Sequence, residues 1–201
     1  MLRVGLTGGL GSGKSFIGRT LERLGCVLIR ADDLGHAVIA PDGEAYHPVM
    51  AAFGSAILNE DGTIDRRRLG DLVFSDPQKL ALLNSIVHPP VFRREEELIA
   101  RAHQADPSAI TVVEAAIMVE AGSHRHYDKL IVASCREEQQ IERAMERDGM
   151  TREQTEARLR RQMPLADKVK LADYVIDTSG TKEETIRQTE LVYQDLRSQE
   201  S

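Results

Sequence analysis

The chain has 201 residues, 26 of them basic and 32 acidic, giving a net charge of −6. That balance argues against a general nucleic-acid binder held by a basic surface, and 4 % aromatic residues with no Trp leaves few stacking platforms for single strands. No apolar run approaches the ~18 residues of a membrane span and Met1 to Leu6 is too short for a signal-peptide core, so the expected compartment is the cytoplasm, away from membranes.

A hydrophobic content of 41 % supports a folded core, and the length suits one to one and a half domains. The cations are unevenly chosen, 20 Arg against 6 Lys, and the planar guanidinium suits phosphate and carboxylate. Cys26 and Cys135 lie at the ends of apolar runs without C-x-x-C spacing and read as buried thiols.

Leu2 to Leu6 is a short apolar run that ends in Thr7-Gly8-Gly9, after which a helical pattern runs from about Gly13 to Leu24. Four further β-branched runs read as buried strands: Cys26 to Ile29, Ile110 to Val113, Lys129 to Ala133 and Tyr174 to Ile176. Strands alternating with helices predict a parallel sheet covered on both faces. About 80 residues separate the second and third strands, far more than a crossover of a dozen or so requires. Apolar spacing there (Leu80, Leu83, Ile86, Val87, then Val91, Leu98 and Ile99) predicts a helical subdomain, with turns at Pro41-Asp42-Gly43 and Asp61-Gly62. Arg93-Arg94-Glu95-Glu96-Glu97 reads as a solvated helix face.

Gly8-Gly9-Leu10-Gly11-Ser12-Gly13-Lys14-Ser15 fits the phosphate-loop pattern G-x-x-x-x-G-K-[ST] without a mismatch. Glycines let consecutive N–H groups turn toward a phosphate, and the following helix offers its positive end to the same charge. Lys14 is expected at the β- and γ-phosphates of ATP and the Ser15 hydroxyl at Mg²⁺, with Phe16 completing the ATP-binding set of Gly8, Gly9, Gly11, Ser12, Gly13, Lys14 and Ser15. A GTPase would add N-K-x-D, but neither Asn59 nor Asn84 begins one, so Asp32 to Gly35 matches D-x-x-G by coincidence.

Asp32 and Asp33 follow the second strand at its carboxyl end, where an open α/β sheet places its ligands. One reading of Asp32 is the carboxylate that orients an attacking hydroxyl and takes its proton; the other is helix capping, which suits Asp33 better. Glu114 closes the third strand, either as an acid that holds Mg²⁺ through water or as a plain strand-end acid.

These residues resemble the dephospho-CoA kinases over nearly the whole chain. The matches run from Val4 to Gly9 and the phosphate loop through Ala31-Asp32, Asp65-Arg66, Leu69, Val73-Phe74 and Leu83-Asn84-Ser85-Ile86-Val87-His88-Pro89. They continue with Glu114 to Glu120, Gln140, Arg143, Arg147-Asp148-Gly149, Gln162 and Ala172 to Ile176. The chain departs from the family pattern at Arg30, His36, Ala116, Val119 and Thr178. The resemblance implies an α/β three-layer P-loop kinase fold with a five-stranded parallel sheet, and transfer of phosphate from ATP to the ribose 3′-hydroxyl of dephospho-CoA with Asp32 as base. It implies a core of 1–33, 108–135 and 163–201, a helical acceptor-binding insert over 34–107 and a lid over 136–162. His88 either packs at a helix boundary before Pro89 or, as the resemblance suggests, faces the acceptor together with Arg66, while Arg67 and Arg68 are solvated. From Arg136 to Arg161 seven Arg meet seven acids; Gln140, Arg143 and Arg147 share one helix face, and Arg158, Arg161 and Gln162 repeat the arrangement on the next helix. A kinase lid carrying Arg143 as a catalytic cation and Arg147 on ATP is one reading; a surface hairpin laced with pairs such as Arg143 with Glu146 is the other. Another small-metabolite kinase is the alternative activity, and no obligate protein partner is expected.

Overall fold

The computed structural model describes residues 1–74 and 76–199, except for the side chain of Phe74. Ser75, Glu200 and Ser201, inside the expected insert and core, and the Phe74 side chain of the Val73-Phe74 match lie outside the described residues. The chain divides into two compact units, Met1–Arg30 with Arg101–Ser201, and Ala31–Ala100.

In the first unit, β1 (Leu2–Gly8), β2 (Val27–Arg30), β3 (Ile110–Glu114), β4 (Lys129–Ser134) and β5 (Tyr174–Asp177) form one parallel sheet in the order β2-β3-β1-β4-β5. The helix α1 (Lys14–Arg23) follows β1, as the glycine loop and helical spacing predict. Ile17 and Leu21 from α1 pack with Val4, Leu6, Val112 and Ile131 from the three central strands, which is why these read as short apolar runs. Central β3 is buried throughout, whereas the edge strands β2 and β5 are not: Val27 is 38 % and Val175 45 % exposed. The expectation of four uniformly buried strands therefore fails at the edges, where a strand has a neighbour on one side only.

The second strand also starts one residue later than its apolar run. The N–H of Cys26 closes the end of α1 on the Leu21 carbonyl at 3.0 Å, behind the turn at Gly25 (φ 103°), so the ladder begins at Val27 opposite Thr111. Both cysteines are free and buried, and burial pushes the Cys26 thiol up to about 12.

The second unit is helical, with α2 (Ala31–Val38), α3 (Tyr46–Phe53), a 3₁₀ turn at Ser55–Ile57, α4 (Arg66–Phe74) and most of α5 (Pro77–Ala105). Val38, Val49, Ile57, Leu69, Val73 and Val91 make a core of its own, which accounts for the apolar spacing of the long inter-strand segment. Two details depart from expectation. The helix α5 does not end at His88 but runs through Pro89 and Pro90, its missing donors offset by the buried run Pro90, Val91, Glu95 and Ile99. Leu98 is 36 % exposed and points away from that core, while Glu95 is buried at 5 %, so the charged run is not wholly a solvated face. Arg68 is exposed as expected, and it also donates to the Leu58 carbonyl at 2.7 Å and pairs with Asp65 at 3.2 Å.

The first unit closes with α6 (Glu137–Asp148), α7 (Arg152–Leu159), α8 (Leu165–Val169) and α9 (Lys182–Ser198). The α7 and α9 helices open on reciprocal caps, Thr151 with Gln154 and Thr181 with Glu184. Because α9 supplies Leu196 to the sheet's core, Thr181→Ala is expected to cost ~1 kcal/mol and lower the melting midpoint by about 2–4 °C in calorimetry. An unchanged midpoint would show that the helix is held by packing alone.

Candidate active site

The phosphate loop spans the end of β1 and the start of α1. Its two left-handed residues, Gly11 (φ 70°) and Gly13 (φ 83°), are also crowded: a Cβ on Gly11 would lie 2.4 Å from the Gln140 carbonyl oxygen, and one on Gly13 3.1 Å from Thr178. Backbone conformation disfavours a side chain at both positions, and at Gly11 the close approach of a backbone oxygen excludes one as well. Gly13 also occupies the N-cap of α1 and brings no side chain to the helix start. The N–H groups of Phe16 and Ile17 turn back to the Gly13 carbonyl at 2.9 and 3.3 Å, so Lys14 and Ser15 head a helix whose orphan donors suit an anion.

Glu114 ties this loop to β3. It is 5 % exposed; its Oε1 accepts from the Ser15 hydroxyl at 2.5 Å and lies 3.4 Å from the Lys14 ammonium. Its Oε2 is buried without a hydrogen-bond donor among the described residues, though Arg30 Nε stands 4.0 Å away. Register explains the Arg30 approach, since Arg30 pairs with Glu114 across β2 and β3. Arg30, one of the departures from the family pattern, thus adds a cation beside the acid, shared with Glu22 at 3.4 Å. Ser12 Oγ is a second buried oxygen lacking a partner among the described residues.

The helix α6 lies along the loop. Gln140, 4 % exposed, sits against Gly9 and Gly11. Arg143 does not pair with Glu146: it donates to Thr178 through both Nη1 (3.0 Å, to Oγ1) and Nη2 (2.7 Å, to the carbonyl), and Thr178 Oγ1 donates to the Ser12 carbonyl at 2.8 Å. Thr178, another departure, is thus the link from Arg143 to the loop. Arg147 is held by its neighbour Asp148 in a two-pronged pair at 2.7 and 2.9 Å, which also holds the Asp148 carboxyl below its usual range. Arg158 lies 3.5 Å from the same carboxylate. The i,i+4 lacing exists elsewhere, in Arg152 with Glu156, and Arg152 also bridges α6 and α7 through Glu138. Because α7 stops at Leu159, Arg161 and Gln162 fall in the turn beyond it, not on one face with Arg158.

Sequence reasoning missed the residue buried deepest at this site. Lys168 of α8 is 0 % exposed, and its ammonium reaches the Ala116 carbonyl at 2.8 Å, the Glu120 carboxylate at 2.8 Å and the Gly8 carbonyl at 3.4 Å. No periodicity marks it, because its partners lie 48 to 160 residues away in the chain. The departure at Ala116 costs this arrangement nothing, since Ala116 offers it a carbonyl, and Val119 is 5 % exposed.

The other unit carries the remaining candidates. Asp32 and Asp33 both lie within the first turn of α2, which begins at Ala31, so Asp33 is not its cap. Both side chains are exposed, and their charge favours the helix start. The departure at His36 places an exposed imidazole in the last turn of the same helix. Asp65 heads α4, accepting from Arg67 and Arg68 N–H groups at 2.9 and 3.1 Å, which leaves Arg66 exposed at the helix start. His88 is half-buried, its ring edge-on to Phe92 at 5.8 Å, and burial lowers its pKa, favouring the neutral imidazole.

Residues 2–184 match the family model described as dephospho-CoA kinase. Among curated relatives, the dephospho-CoA kinase of Aquifex aeolicus is 41 % identical over 196 residues, covering 98 % of each chain. That of Geobacter metallireducens is 43 % identical over 188 residues, covering 94 % of this chain and 93 % of the relative. Among solved structures, TT1252 from Thermus thermophilus superposes with a TM-score of 0.85 at 30 % identity, covering 96 % of this chain and 97 % of that one. A shikimate kinase from Acinetobacter baumannii, at 17 % identity and a TM-score of 0.52, shares the fold.

Proposed function

The chain belongs to the dephospho-CoA kinase family, whose reaction moves a phosphoryl group from ATP to 3′-dephospho-CoA in the last step of coenzyme A synthesis, and on that premise we propose how its residues divide the work. The observation that carries the reading is the loop itself: a mismatch-free phosphate loop whose lysine and serine converge on one buried acid. Gly8, Gly9 and Gly11 to Ser15, with Phe16 behind them, cradle the triphosphate of ATP, and Lys14 meets its β- and γ-phosphates. Asp32 orients the ribose 3′-hydroxyl and takes its proton as the oxygen–phosphorus bond forms and ADP leaves. Arg66 and His88 contact the acceptor.

Ser15 and Glu114 are the residues that would hold Mg²⁺. The fit rests on Glu114 Oε2, a buried carboxylate oxygen without a hydrogen-bond donor among the described residues, beside a hydroxyl on its other oxygen. A magnesium ion keeps most of its waters and takes only one or two protein oxygens, so a hydroxyl and a carboxylate suffice. When bound, the ion neutralises charge on the phosphates. Residues 136–162 act as the lid: Arg143 leaves Thr178, and Arg147 leaves Asp148, for the phosphates as the segment excludes water. Among the described residues no helix is long and apolar enough to cross a membrane.

The test is a coupled ADP-release assay across acceptors, chosen because five positions depart from the family pattern. Dephospho-CoA is expected to stimulate ADP release, whereas adenosine and shikimate are not. Stimulation by another acceptor and none by dephospho-CoA would move the acceptor assignment to the other metabolite kinases.

A further inference from the structure

Lys168 has no part in the chemistry described above, yet among the described residues it is the largest fully buried side chain. Taking an ammonium group out of water is costly unless it is paired and hydrogen-bonded. Here its three N–H donors face three oxygens: the carbonyls of Gly8 and Ala116 and the carboxylate of Glu120. Gly8 is the last residue of β1 and the first of the phosphate-loop pattern. The oxygen of Glu120 that meets Lys168 also accepts the Met163 N–H at 2.9 Å. One residue earlier, Gln162 Oε1 accepts the Leu10 N–H at 2.9 Å. Residues 162–168 therefore grip the loop at two points, Leu10 N–H and Gly8 C=O, and are themselves pinned by Glu120.

We propose that residues 162–168 form a strap in which Lys168 and Gln162 are positioning residues that set the phosphate loop for nucleotide binding. Gln162 occupies the Leu10 N–H and so fixes that peptide's orientation, while Lys168 fixes the Gly8 peptide plane. With both ends of Gly8-Gly9-Leu10 held, the glycines beyond cannot swing their N–H groups away from the phosphates. Glu120 holds the base of the strap, directly after the 136–162 segment, so movement of that segment is transmitted to the loop through Met163 and Gln162. The inference rests on the reading that this loop binds the phosphates of ATP.

Lys168→Met removes the ammonium while keeping the stem. Gln162→Leu, at a half-buried position, frees the Leu10 N–H and guards against a Lys168 variant that does not fold. Steady-state kinetics and ADP titration calorimetry are run on both variants, with Lys14→Met as the control on the loop itself. The strap predicts that the ADP dissociation constant and the KM for ATP rise about tenfold in Lys168→Met and several-fold in Gln162→Leu, with the KM for dephospho-CoA unchanged. A merely structural lysine would lower the melting midpoint and the amount of active enzyme without that split between the two substrates. If Lys14→Met weakens ADP binding and both strap variants, once folded, bind ADP as the parent does, the strap is refuted. So too if Lys168→Met fails to fold and Gln162→Leu binds ADP normally. If Lys14→Met leaves ADP binding and turnover untouched, the loop reading fails first and the strap with it.

Discussion

Asp32→Asn is expected to lower kcat by at least ~10² while the KM for ATP stays near the parent value. The asparagine keeps the shape and can still accept a hydrogen bond, but it cannot take the proton of the attacking ribose hydroxyl. Asp32 is the second residue of α2, separated only by Ala31 from the carboxyl end of β2. Asp33 shares that first turn and supplies the control, because it is an exposed acid at the same helix start. Asp33→Asn is expected to leave turnover near the parent's, with at most the loss of a favourable charge at the helix N-terminus, ~0.3–1 kcal/mol. Steady-state kinetics and thermal melts on the two variants separate chemistry from stability. Near-normal turnover in Asp32→Asn would remove Asp32 from the mechanism, and equal losses in both variants would point to the shared negative charge of the helix start rather than to Asp32 as a base.

The different fates of sequence readings follow from how local their physical causes are. The phosphate loop was legible because its glycines answer to backbone sterics that any reader of eight consecutive residues can apply. The parallel sheet was legible from β-branched runs, since a strand covered on both faces must be apolar throughout; the same rule failed at Val27 and Val175, because edge position is a property of strand order, which no single segment encodes. His88 before Pro89 looked like a helix end on local grounds, and only the packing of Pro90, Val91 and Ile99 shows why α5 continues. Glu114 was visible as the acid closing a strand, but its burial, with Ser15 and Lys14 on the same carboxylate oxygen, comes from contacts about a hundred residues apart in the chain that no single segment encodes. Arg143 could be placed on a face shared with Gln140, yet its partner Thr178 lies 35 residues on. Lys168 was illegible for the strongest reason: two of its three partners are backbone carbonyls, which leave no mark in a sequence.

Lys14→Met should lower kcat/KM for ATP by about 10²–10³, the loss typical of removing one preorganised donor from developing charge. Methionine retains the unbranched stem, so the change is mainly the loss of a cation that is 13 % exposed and 3.4 Å from Glu114. That acid is not stranded by the substitution: the Ser15 hydroxyl remains on Oε1 and Arg30 stands 4.0 Å from Oε2, so the fold is expected to survive with a modest drop in melting midpoint. Lys14→Arg tests geometry separately from charge, because a guanidinium is a broad planar fork where the loop offers room for a compact ammonium, and it is expected to recover little of the loss. The division of the effect between kcat and KM decides what the lysine does. A fall in kcat equal to that in kcat/KM means that Lys14 acts on charge present only as the phosphoryl group transfers; a rise in KM with kcat preserved means that it holds the ground-state phosphates and no more. A kcat/KM within a few-fold of the parent would show that the backbone donors of the loop and the cations of the 136–162 segment suffice, and would take Lys14 out of the reaction.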